Sequence, residues 1–262
     1  MNIIMNEKEK AIQILRNNEI NEKKPSETIQ LLIKYYHEQN ISKDQIRKKI
    51  EEFMQQNYKG FNSTRWQQSL DNMVNRYTNN KYKLININRV FVTKEELKKI
   101  KKINESDKIE KANIDLEKLA FVLLVYAKTY NQINENNNNW VKAKKTTILK
   151  DAKIRSRNKN NSLDLFRELH KLELISFADT VNNTSIQVNY INNISRVEIE
   201  IDNLQGNFIS KYLEWRKGYC IICGKKLNGK SNRGKYCKQC AKEIELKNHR
   251  ERNKKWYKNK IK

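Results

Sequence analysis

The residues best suited to chemistry are the cysteines, and all four lie near the C-terminus. Cys220 and Cys223 form one Cys-x-x-Cys pair, Cys237 and Cys240 form another, and thirteen residues separate them. A two-residue spacer lets both thiolates of a pair face one ion, and two such pairs complete the closed tetrahedral sulfur site that structural zinc prefers. The alternative use of these thiols is disulfide formation, which needs an oxidising compartment. The segment Met1–Lys10 has neither the apolar core nor the cleavage pattern of a secretory signal. The expected setting is therefore cytoplasmic, where paired Cys-x-x-Cys favours metal. Cys220, Cys223, Cys237 and Cys240 are the predicted ligands of a structural Zn²⁺ in a zinc ribbon. With four thiolates the ion keeps no open position for water, so its role is structural rather than catalytic.

The elements that must position this site follow from composition. The 262 residues are 37% hydrophobic, contain one proline, Pro25, and carry six glycines, of which Gly218, Gly224, Gly229 and Gly234 fall around the cysteines. The first 210 residues almost lack turn glycines and are expected to be mostly helical. No apolar run reaches membrane-spanning length, so no membrane partner is expected.

Charge separates the C-terminal end from the rest. Of the formal +24, residues 211–262 hold 18 Lys/Arg against 4 Asp/Glu, a net +14 in a fifth of the chain. A lysine-rich coding bias explains scattered lysines but not a local depletion of acids, and a polyanion, most simply nucleic acid, accounts for it better. Past Cys240 the cations Lys242, Lys247, Arg250, Arg252, Lys254, Lys255 and Lys258 are interleaved with Trp256 and Tyr257. Such a helix is either solvated or neutralised by phosphates, and its aromatics can stack on bases.

Helical periodicity marks Ala11/Ile12/Ile14/Leu15, then Ile29/Leu32/Ile33/Tyr36, Ile46/Ile50/Phe53/Met54 and Trp66/Leu70/Met73/Val74/Tyr77 as four core-facing stripes. Ser42 with Gln45 and Thr93 with Glu96 have capping-box spacing. Lys83–Val92 has the composition of a strand. The polar stretch Asn104–Asn113 is expected to be a linker. Beyond it, Leu116–Tyr130 reads as the buried central helix of its domain. Thr147–Ile154 and Ser162–Leu174 follow as helices around a basic turn, and Ile175–Asp179 with Thr184–Tyr190 as two strands. Ile194–Ile201 alternates as a strand, and Phe208–Trp215 is a short amphipathic segment leading to the cysteines. The expected divisions are 1–104 helical, 114–202, 203–240 with the ribbon, and 241–262 as a basic helix.

The order of three helices and a two-stranded hairpin resembles a winged helix. That resemblance implies a last helix in the major groove, with Arg155, Arg157 and Lys159 against phosphates, although winged helices also serve as protein-interaction modules. Two exposed positions on that helix, Asp164 and Glu168, are acidic. The cysteine region with its basic extension, the helix containing Leu119-Ala120-Phe121-Val122-Leu123-Leu124 and the Trp140-Val141 pair resemble proteins of phages and other mobile elements of low-GC Gram-positive bacteria. The likeness covers the C-terminal two thirds and implies DNA transactions such as replication or regulation, with no catalytic residue transferred. No phosphate-binding glycine loop, nucleophile elbow or HExxH occurs, and His37, His170 and His249 are scattered, so no enzyme is expected. The fold expectation is mainly α with small β elements: an N-terminal helical domain, a winged-helix-like middle and a C-terminal zinc ribbon with a basic helix. The functional expectation is a DNA-binding regulatory or replication accessory protein. The alternative is a module that binds a host polymerase or a nucleoprotein defence complex.

Overall fold

A computed structural model describes residues 4–103, 113–154, 159–178, 185–204, 206–216, 218–220, 225, 227, 236–246 and 249, with backbone alone for 159–163. The chain is mainly helical with small antiparallel sheets and divides into two compact units, Ile3–Asn88 and the part that begins at Arg89. No helix among the described residues is long and apolar enough to cross a membrane.

The first unit is built from α1 (Glu7–Asn17), α2 (Pro25–Glu38), α3 (Lys43–Asn57) and α4 (Ser63–Tyr77). The four predicted stripes supply its core: Ala11, Ile14, Ile29, Leu32, Ile33, Ile46, Ile50, Met54, Leu70 and Val74 are all buried. Pro25 opens α2 in the first turn, where its missing N–H costs no intrahelical hydrogen bond. Ser42 caps α3 through Oγ, and Asn62 caps α4 by accepting the Arg65 N–H at 3.0 Å. Removing that acceptor, as in Asn62→Ala, is expected to cost about 1 kcal/mol of this unit's stability. Urea unfolding followed by amide exchange in α4 measures it.

The expected strand over Lys83–Val92 is shorter in the structure. Only β1 (Val90–Thr93) is strand; the earlier half meets residues 5–7 through Glu7 N–H to Ile85 O at 2.9 Å, Ile87 N–H to Met5 O at 2.7 Å and an isolated Asn6–Asn86 bridge. The buried Glu7 carboxylate anchors it, accepting from the Ile85 N–H and pairing with Lys34. The two halves belong to different units, so one alternating stretch serves two separate partners.

In the second unit, β1 pairs antiparallel with β5 (Val197–Ile201). This ties the residues before the polar stretch 104–113 to those far beyond it, and the division of the chain accordingly falls at Asn88/Arg89. Its outer edges are blocked by side chains: Lys128 Nζ reaches Phe91 O at 2.8 Å, Gln132 Nε2 reaches Arg89 O at 3.2 Å, and Lys211 Nζ reaches Glu200 O at 2.8 Å. Unpaired edges invite other strands, and charged or polar side chains on them prevent it. Helix α5 (Lys94–Lys102) begins at the predicted capping box, where Glu96 accepts the Thr93 N–H at 2.8 Å. Glu96 is fully buried, also accepts from Asn192 N–H and pairs with Lys128 at 2.8 Å.

Helix α6 (Ile114–Ile133) is buried on all sides from Leu116 to Thr129, as its unbroken apolar run requires. Around it run β2 (Trp140–Val141), α7 (Lys145–Asp151), α8 (Lys159–Lys171), β3 (Ile175–Phe177) and β4 (Ile186–Val188), with sheet order β2-β4-β3. Trp140 faces Gln187 and Ile175 faces Val188, so the Trp140-Val141 pair is the third strand of the expected hairpin. Residues 179–184, which join β3 to β4 in the chain, lie outside the described residues. Tyr190 closes this layer with a hydrogen bond from its hydroxyl to Ala120 O at 2.7 Å.

Candidate metal centre

Helix α9 (Ile209–Arg216) carries the chain from the core to the cysteines. Ile209, Tyr212 and Leu213 are buried, and the Tyr212 ring stacks on Phe121 of α6 with centroids 4.9 Å apart. Tyr212 and Arg216 are four residues apart and share a helix face. Both reach Glu117, a fully buried carboxylate on α6: the Tyr212 hydroxyl donates at 2.5 Å, Arg216 Nε at 2.8 Å and Arg216 Nη2 at 3.3 Å. Burial, and after it the Glu117 carboxylate, push the Tyr212 hydroxyl far above the ordinary phenol range, so it stays a donor. The Arg216 guanidinium also lies 5.2 Å from the Tyr219 ring centroid, next to Cys220.

The thiols come together as their spacing demands. The ligand sulfurs of Cys220, Cys237 and Cys240 lie within 4.8 Å of one another, a group that could hold a metal ion, and Cys220 and Cys240 are buried. Two cross-chain bonds shape the Cys220 side: Cys220 N–H to Lys225 O at 2.8 Å and Leu227 N–H to Gly218 O at 2.9 Å. Gly218 has φ +78°, a left-handed conformation that glycine adopts without strain. The second pair opens a helix, α10 (238–246). Cys237 precedes it and its carbonyl accepts from Ala241 N–H at 2.9 Å. The fourth predicted ligand, Cys223, lies outside the described residues.

Of the predicted nucleic-acid contacts, Lys242 is exposed on α10 and Lys159 is the first residue of α8. Arg155, Arg157, Lys247, Arg250, Arg252, Lys254, Lys255, Trp256, Tyr257 and Lys258 lie outside the described residues. On α8, Arg167 is exposed and paired with Asp164 at 3.0 Å, so its charge is partly spent within the helix. Sequence reading missed the exposed Lys142 and Lys144 at the β2–α7 junction, with Lys145 beside them over the Phe166 and Phe177 rings. Four residues holding three lysines and no acid were the available signal. It also missed the Glu117 anchor, whose members are nearly a hundred residues apart.

Comparison with protein-family models, with curated proteins and with solved structures yields no significant match.

Proposed function

We propose that the chain is a nucleic-acid-binding protein, with DNA as its first partner, that uses a structural zinc ion to fix a basic C-terminal helix on a helical core. The single observation carrying this reading is the segregated charge, +14 in residues 211–262, in the same stretch as a cluster of three cysteines of which Cys220 and Cys240 are buried. Four cysteine sulfurs at about 2.3 Å from zinc stand about 3.8 Å apart in a tetrahedron, which the approach of Cys220, Cys237 and Cys240 accommodates, with Cys223 as the fourth donor. The ion would supply cross-linking rather than catalysis. The arrangement α6-β2-α7-α8-β3-β4 with strand order β2-β4-β3 supports a winged-helix reading of the middle domain. The regulatory or replication role is what the resemblance to phage and mobile-element proteins implies. The Asp164–Arg167 pair favours the second reading for α8, a face for a host protein or nucleoprotein rather than for phosphate.

Binding of a labelled duplex to the full chain and to a chain ending at residue 246 tests the proposal. The shortened chain is expected to lose on the order of a hundredfold in affinity at low salt, and each cation no longer engaged flattens the salt dependence by about 0.9 per phosphate. Equal affinity and equal salt slope for the two chains would remove the basic segment from the interface.

A further inference from the structure

The longest acid-free run of the chain is Trp215–Lys242, and the next longest is Asn72–Lys94, which begins in the N-terminal helical unit. Its first part is the end of α4 and the turn that follows, Arg76-Tyr77-Thr78-Asn79-Asn80-Lys81-Tyr82-Lys83. The Arg76 guanidinium lies 5.4 Å from the Tyr77 ring centroid and 5.5 Å from that of Tyr82, and its Nε donates to the Tyr82 hydroxyl at 3.2 Å. The two rings meet edge to face, 5.1 Å apart at 69°. The turn is fixed from within. Thr78 Oγ1 bonds Val74 O at 2.7 Å, Lys81 N–H bonds Asn79 Oδ1 at 3.1 Å and Tyr82 N–H bonds Asn79 O at 2.9 Å. Tyr77 also leans on the buried core of this unit.

Exposed lysines are ordinary on a helical protein, but an exposed arginine fixed against two aromatic rings is not merely solvated. Arg76, Lys81 and Lys83 are all exposed, and none takes part in the ion pairs formed among the described residues. The ordering of Arg76 is already supplied by its rings, while its Nη end is left to meet two oxygens of a phosphate in a two-pronged contact. Cations alone would suit any polyanion. An arginine held on tyrosine faces, with Lys81 and Lys83 exposed in the same turn, suits one whose repeating unit joins a phosphate to a flat ring.

We propose that the Arg76–Lys83 turn is a binding site for single-stranded nucleic acid, with Arg76, Lys81 and Lys83 meeting phosphates and Tyr82 stacking on a base. This site belongs to a different unit from the basic C-terminal segment and does not depend on it. A single strand is favoured over a duplex because a stacked and paired base offers no face to Tyr82.

The test uses the full, zinc-loaded chain with an oligothymidylate carrying 4-thiothymidine for photo-cross-linking. Cross-links are expected at Tyr82 or its neighbours. Tyr82→Leu is expected to weaken single-strand binding about tenfold and leave duplex binding unchanged. Arg76→Ser with Lys81→Ser and Lys83→Ser is expected to reduce the single-strand salt slope by about 2. Arg76→Lys, which keeps the charge but not the planar fork, is expected to fall between wild type and the triple variant. Unchanged α4 amide exchange shows that each variant is folded. Cross-links confined to residues beyond 216, or a triple variant with wild-type affinity and salt slope, would overturn the site while leaving the C-terminal reading intact. Displacement of the oligonucleotide by polyglutamate as readily as by unlabelled oligothymidylate would also overturn it, because the turn would then read charge alone.

Discussion

Glu117→Ala is expected to destabilise the unit that begins at Arg89 by about 3 kcal/mol, the cost typical of breaking a buried ion pair from one side. The carboxylate is fully buried and accepts from Tyr212 and from two nitrogens of Arg216. Its removal leaves a buried hydroxyl and a mostly buried guanidinium facing an apolar wall, and an unmet donor of this kind costs about 1–3 kcal/mol, more when charged. Glu117→Gln keeps an acceptor for Tyr212 but turns an N–H₂ group toward Arg216, so its effect is expected to be smaller. Replacing all three members, Glu117→Leu with Tyr212→Phe and Arg216→Met, is expected to recover much of the loss, because a packed apolar cluster carries neither the desolvation cost of the ions nor an unmet hydroxyl. Urea unfolding with amide exchange read in α6 measures these changes separately from the Ile3–Asn88 unit. Glu117→Ala with unaltered α6 protection would show that α9 is held by its apolar contacts alone.

What sequence shows and hides here follows from the range of the interactions. Local signals were legible. The Thr93–Glu96 spacing marked the start of α5, the four helical stripes marked the core of the first unit, and the unbroken apolar run marked α6 as the buried centre. The Cys-x-x-Cys pairs marked a ligand cluster, and Cys220, Cys237 and Cys240 do converge. Pairings over distance were not legible. The alternation of Ile194–Ile201 announced a strand but not that its partner is β1, with Arg89 and Glu200 joined across 111 positions. Polar composition at 104–113 suggested a border there, but the β1–β5 pairing binds both sides of that stretch into one unit. The basic helix was expected from residue 241, and residues 238–246, good helix formers without glycine, wind into α10 directly at the thiols. Buried charge was hidden most completely. Glu96 was legible as a helix cap and Lys128 as part of the central helix, but nothing local showed that the two charges meet, and only their pairing in three dimensions makes burial affordable.

Cys240→Ser is expected to abolish tight metal binding and, through it, to loosen the seat of α9. A serine hydroxyl does not become an anionic soft donor near neutral pH, and Cys240 is one of the two buried thiols of the cluster. In zinc-finger peptides structural zinc contributes about 10–16 kcal/mol of apparent binding free energy at pH 7, available to folding because the unfolded chain has no preformed site, and the zinc proposed above would act in the same way. Losing one thiolate therefore removes enough to release the ion to a competing chelator that the native protein withstands. Cys223→Ser is expected to behave the same way, since a closed site needs its fourth sulfur. The effect should spread inward along a short path: Cys220 follows Tyr219, Tyr219 lies against the Arg216 guanidinium, and Arg216 holds the Glu117 carboxylate. Metal analysis after chelator dialysis reads the first step, and amide exchange in α9 and α6 reads the second. Full zinc content in Cys240→Ser would refute the thiolate site. Lost zinc with unchanged α9 exchange would confine the ion's influence to residues beyond Arg216, whereas faster α9 exchange in both cysteine variants, matched by metal removal from the native chain, would make the ion part of the core's stability.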